Sequence, residues 1–239
     1  MRLPVGALAL CVVALVAGAV SAAPAGAQER PAFFDQPSRL VVVGHPAPGQ
    51  RYPLLVAFPP TGYPAQWTVD EIQSAIPLET YVLMITPGAP QRSEYSPAFA
   101  RYLDWTAARV RADLETAFAT QPADRDRVYA FGFSLGGDIS WGLVAREPTL
   151  FRGAVVMGSR SSARGHGDAV RSLATRHVRV AFLMGDVDDA SRQRGIASAE
   201  AWAREHGVTT RMFSFHGDHE IPPLDLVRAA FEMVLAHAR

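Results

Sequence analysis

The chain has 239 residues, 49% of them hydrophobic and 19% charged, with 23 basic residues balanced by 23 acidic ones. This length and apolar content predict one or at most two globular domains with enough chain for a sizeable core. The balanced charge supplies no general field for phosphate groups, and the basic stretch from Arg160 to Arg179 is interrupted by Asp168, so no nucleic-acid partner is expected.

At the N-terminus, Arg2 is followed by the uncharged apolar stretch Leu3–Val20 and then by the small residues Ser21-Ala-Ala-Pro-Ala-Gly-Ala27. This is the pattern of a secretory signal peptide over residues 1–27. Small-residue pairs allow cleavage after Ala22 or after Ala27. Either cut leaves one domain, residues 28–239, in an exported protein, secreted or periplasmic, without stable membrane association. An uncleaved anchor is the alternative, because the apolar core approaches the length that spans a bilayer. The one cysteine, Cys11, lies in this stretch and would leave with it, and Leu10 before it is too large for a lipoprotein-type cleavage position. A mature chain without thiols has no disulfide, no Cys-based zinc site and no thiol chemistry.

Beyond residue 28, strand-like and helix-like segments alternate, which predicts the α/β class. Strands are expected near Leu40–Val43, Leu54–Phe58, Val82–Thr86, Val128–Phe133, Gly153–Gly158, Val178–Gly185 and Arg211–Phe215. Several are continuous apolar runs, the signature of a mostly parallel central sheet with helices on both faces. Phe99, Leu103, Ala107, Val110, Leu114 and Phe118 recur every three or four residues and predict a helix over Pro97–Thr120. Leu224, Val227, Phe231 and Val234 predict a final helix to about His237. No internal repeat and no interdomain linker is visible.

The segment Val128–Trp141 joins a buried-strand pattern, the turn Gly132-Phe-Ser134-Leu-Gly136 and a helix start in direct succession. A serine on such a sharp turn sits at backbone angles that L-residues avoid, and the flanking glycines let strand and helix approach without a Cβ collision. Ser134 is therefore the candidate nucleophile, and the N–H of Leu135 directly after it is the first candidate donor to a developing oxyanion. In an open α/β sheet, partners for Ser134 come from the carboxyl ends of later strands. Two such ends carry suitable groups: Gly185-Asp-Val-Asp188-Asp189 and His216-Gly-Asp-His219-Glu220. They give the chain order Ser, Asp, His. The same carboxylates and imidazoles are potential metal ligands, but no metal-binding spacing accompanies them, so neither metal nor cofactor is expected.

With these motifs in place, the chain resembles the α/β-hydrolases of the small phospholipase/carboxylesterase and dienelactone-hydrolase-like type, over nearly all of residues 28–239. The resemblance implies an α/β-hydrolase fold and a Ser134–His219–Asp188 triad. In that family the acid follows a glycine by three residues, which favours Asp188 over its competitor Asp189, and the base follows a G-x-H turn, which favours His219 over His216. The family's second oxyanion donor lies after the second predicted strand, where this chain departs from the usual H-G-x-G and reads Pro59-Pro60-Thr61-Gly62. Proline has no N–H, so Thr61 is the expected donor.

Only Arg160–His177 separates the strand ending at Gly158 from the next strand, which leaves room for one short helix and no large cap or lid. Tyr63, Trp67, Tyr95 and Trp105 are candidates to line a substrate pocket, although aromatics in such a domain more often belong to core or rim. The expected activity is hydrolysis of small-molecule or polymeric carboxylic esters through an acyl-enzyme. Peptidase, thioesterase and acyltransferase activities use the same triad, and a non-catalytic binding protein on the same fold is the alternative of a different class. Oligomeric state is not legible.

Overall fold

The computed structural model describes residues 29–236. The signal-peptide reading, Cys11 and the helix end read at His237 lie outside these residues. Seven strands are present: β1 (Arg39–Val43), β2 (Tyr52–Phe58), β3 (Tyr81–Ile85), β4 (Ala123–Phe133), β5 (Gly153–Met157), β6 (Arg179–Gly185) and β7 (Thr209–Phe215). Their order across the sheet is β1-β3-β2-β4-β5-β6-β7. β1 runs antiparallel to β3, and every other neighbouring pair is parallel.

Side-chain alternation explains why the central strands read as unbroken apolar runs. Leu54, Val56 and Phe58 of β2 enter one core while Leu55 and Ala57 enter the other, so the strand meets no water on either side. The first core is closed by α3 (Phe99–Thr120), α4 (Leu135–Arg146), α5 (Asp168–Thr175) and α6 (Ala190–Glu205). The second is closed by α1 (Ala65–Ile72) and α7 (Leu224–Leu235). The remaining four-residue helix, α2 (Arg92–Tyr95), leads into α3.

Two differences from the sequence reading have physical causes. β4 begins at Ala123 rather than Val128, because the charged stretch Asp124–Arg127 continues the strand past the edge of the core, with a register shift against β2. Helix α6 carries only three fully buried residues, Ile196, Ala199 and Ala203, too sparse a stripe to stand out in the sequence. Between β5 and β6 stands only the short helix α5, so no large cap covers the carboxyl end of the sheet.

The winding of the chain reverses around β2, since β3 lies on one side of it and β4 on the other. Such a reversal opens a crevice at the strand ends. Behind it, the fully buried Trp141 of α4 makes edge contacts with Phe182 at 5.4 Å and Trp202 at 5.9 Å, and its indole N–H donates to Ala163 O at 2.8 Å. Trp141→Ala is expected to lower stability by about 3–5 kcal/mol in urea unfolding, and a loss under about 1 kcal/mol would contradict this packing.

Candidate active site

β4 ends at Phe133 and α4 begins at Leu135, leaving Ser134 alone to turn the chain. Its φ of 56° and ψ of −116° place it in a region L-residues rarely occupy. The surroundings enforce this conformation: the Ser134 N–H donates to Met157 O at 2.8 Å and its carbonyl accepts from Asp138 N–H at 3.0 Å. A Cβ on Gly132 would stand 2.4 Å from the Gly136 carbonyl carbon, and one on Gly136 would stand 2.4 Å from Phe58 O. Both glycines are thus required by close approach, the first between strand and helix, the second between helix and the end of β2.

The turn after β6 aims Asp188 inward, where it is 4% exposed. The loop after β7 is tied to that turn by Asp186 N–H donating to Phe215 O at 2.9 Å and Val187 N–H to Gly217 O at 3.1 Å. This brings His219 between the other two groups, with Nε2 at 2.9 Å from Ser134 Oγ and Nδ1 at 2.9 Å from Asp188 Oδ2. Nδ1–H donating to the carboxylate leaves Nε2 as acceptor for the serine hydroxyl. The Phe133 ring stacks on the imidazole at 4.8 Å.

The neighbouring candidates have other partners. Asp189 caps α6, accepting the N–H groups of Ser191 and Arg192, and the Ser191 bonds hold its carboxyl below the usual range. Asp186 accepts from Gly217 N–H at 3.3 Å and lies 3.2 Å from His216 Nδ1, whose side chain is 87% exposed. Among the described residues, no cluster of His, Cys, Asp or Glu is arranged to hold a metal ion.

Next to Ser134 lies a cavity of about 330 Å³. Tyr63, Trp67, Tyr95 and Phe133 supply its aromatic lining. Trp105 does not line it; this residue packs instead with Phe34, ring centroids 6.1 Å apart, against the core under α3. Thr61 is at the cavity wall, its hydroxyl 2.9 Å from the Tyr95 hydroxyl. The amides of Thr61 and Leu135 donate to no protein acceptor among the described residues. For Leu135 the reason is its place in the first turn of α4, where no intrahelical acceptor exists.

No protein-family model and no curated protein matches the sequence. Solved structures do match in three dimensions. One described as YahD with malic acid superposes with a TM-score of 0.64 at 14% identity, over 84% of this chain and 100% of that one. A carboxylesterase of Bacillus cereus gives 0.60 at 13% identity, over 82% and 93%. A carboxylesterase of Mesorhizobium loti gives 0.59 at 16% identity, over 74% and 87%. The chain has the α/β-hydrolase fold.

On this α/β-hydrolase scaffold, the cavity also exposes groups that sequence reasoning did not single out: Arg92, Asp138, Arg160 and Arg192. The signal for Asp138 was its position one turn after the serine, and for Arg192 its position four residues after Asp188 on a helix start. Asp138 accepts the Ser161 N–H at 2.7 Å, yet burial outweighs that bond and the nearby Arg160 and Arg192 charges, raising its carboxyl to a pKa of about 6. Because the folded value exceeds the unfolded one, the neutral form's stabilisation is fully present below about pH 4 and is lost as pH rises through about 6. Relative to Asp138→Asn, the wild-type protein is expected to lose on the order of 2–3 kcal/mol of stability between pH 4 and pH 7 in urea unfolding. A difference that stays flat across that range would contradict a carboxyl that ionises only near pH 6.

Proposed function

We propose that this protein is an exported serine hydrolase of carboxylic esters. The observation that carries the reading is the unbroken chain of hydrogen bonds from Ser134 Oγ through His219 to Asp188, at the mouth of a cavity that no cap covers. The neighbours named as carboxylesterases favour an ester over the other acyl substrates the same three residues attack. The N-terminal pattern of residues 1–27 supports export.

In the proposed reaction, Ser134 Oγ attacks the ester carbonyl as its proton moves to His219 Nε2, and the resulting imidazolium is oriented and stabilised by Asp188. The amides of Leu135 and Thr61 donate to the tetrahedral oxyanion. Collapse releases the alcohol, which takes the proton from Nε2, and leaves an acyl group on Ser134. Water then repeats the sequence with His219 again as base, releasing the acid and restoring the serine hydroxyl.

A panel of chromogenic acyl esters of increasing chain length tests the reading. Ser134→Ala is expected to lower the rate by about 10⁴-fold or more and to abolish fluorophosphonate labelling, whereas equal rates for both proteins would overturn it. Asp188→Asn is expected to lower kcat by about 10⁴-fold. Asp189→Ala is instead expected to retain the rate within a small factor and to lower the thermal midpoint slightly through its lost helix cap. The opposite pattern would assign the acid to Asp189.

A further inference from the structure

The cavity beside Ser134 is lined by three arginines, Arg92, Arg160 and Arg192, against one carboxylate, Asp138. Binding a neutral acyl chain makes no use of guanidinium groups. Two of the three are nevertheless held in place by the fold. Arg192, on the first turn of α6, donates from Nη1 to Asp188 Oδ1 at 3.0 Å, on the carboxylate oxygen that His219 leaves free. Arg160 sits just beyond β5 on a segment gripped by Asp138, whose half-buried carboxylate accepts the backbone N–H of the next residue, Ser161, at 2.7 Å. Ser161 itself is left-handed, with a φ of 49°, and its hydroxyl is bonded to that of Ser159.

Helix α6 locks this segment from the other side. Gly195 is three residues after Arg192, on the same face of the helix, and a Cβ there would stand 2.2 Å from Arg160 O. The two arginines therefore leave adjoining backbones. Arg192 is committed to Asp188, whereas the Arg160 guanidinium has no hydrogen bond or close ion pair among the described residues. A half-buried carboxylate and a left-handed serine both cost stability, and neither side chain is hydrogen-bonded to Ser134, His219 or Asp188. Their shared effect is to fix the backbone that carries Arg160.

We propose that Arg160, with Arg192 beside it, forms an anion subsite, and that the preferred substrates are esters bearing a free carboxylate near the scissile carbonyl. This rests on the esterase reading and narrows its substrate class. With Arg192 paired to Asp188 and Asp138 in the wall, one positive charge is left in excess around the cavity, which suits a carboxylate better than a phosphate dianion. The planar guanidinium matches a carboxylate in a two-point hydrogen bond.

The test compares kcat/KM on two matched pairs. 4-Nitrophenyl hemiglutarate against 4-nitrophenyl valerate places the carboxylate on the acyl side, and 4-carboxyphenyl acetate against phenyl acetate places it on the alcohol side. In at least one pair the wild-type protein is expected to favour the carboxylate-bearing ester by about tenfold or more, the scale of a hydrogen bond to a charged group. That ratio is expected to shrink with added salt and to fall towards unity in Arg160→Gln, with partial recovery in Arg160→Lys. Thermal melts of both variants check that the exposed Arg160 can be replaced without unfolding. Turnover of the neutral esters with no preference in either pair, or a preference unchanged in Arg160→Gln, overturns the subsite alone. Turnover of none of the four esters overturns the esterase reading and the subsite with it.

Discussion

The site depends on one close approach: the end of β4 against the start of α4, with Ser134 held at positive φ between them. Gly132 meets Gly136 across the turn, and Gly136 meets the carbonyl of Phe58 at the end of β2. A single methyl at either position would push strand, helix and neighbouring strand apart. The conformation is unfavourable for a serine taken alone, at a cost of order 1–3 kcal/mol, and it persists because backbone hydrogen bonds on both sides leave no alternative. The same contact brings the first amides of α4 next to the loop that carries Thr61.

Sheet topology supplies the rest of the constellation. Parallel strands end on the same edge, so the loops after β2, β4, β6 and β7 open towards one another. The loop after β7 reaches Ser134 across β5 and β6, which requires the bonds that fasten it to the turn after β6. That fastening also sorts the nearby acids. Asp188 points inward to His219, Asp189 caps a helix and Asp186 faces solvent beside His216. Three carboxylates within four residues thus acquire different surroundings from the geometry of a single turn.

The opposite wall follows a different logic. Asp138 is half-buried although its carboxyl would be better hydrated in water, and it holds the segment that presents Arg160. Arg192 links this wall to the acid of the proposed triad, so substrate charge and triad electrostatics share one helix start. An anion drawn to Arg160 would sit within the field of the same groups that surround His219, which ties substrate selection to the environment of the proposed base.

Much of this was legible in the chain. The glycine spacing around Ser134, the apolar runs of β2 to β6 and the α3 periodicity each reflect a local demand, namely steric clearance, burial on both faces and one buried helix stripe. Residues close in sequence suffice to reveal such demands. The weak stripe of α6, the charged start of β4 and the packing of Trp105 against the core rather than the cavity escaped because packing rather than local pattern decides them. The cationic wall was hidden for the same reason. Arg92, Arg160 and Arg192 are scattered over a hundred residues and look like ordinary surface charge. The sequence by itself determined the strand order along the chain, the elbow and the small set of acids and imidazoles available to it. Only the tertiary structure decided which of these face Ser134 and what surrounds them, because the closure of loops over a shared sheet edge depends on contacts between residues far apart in the chain.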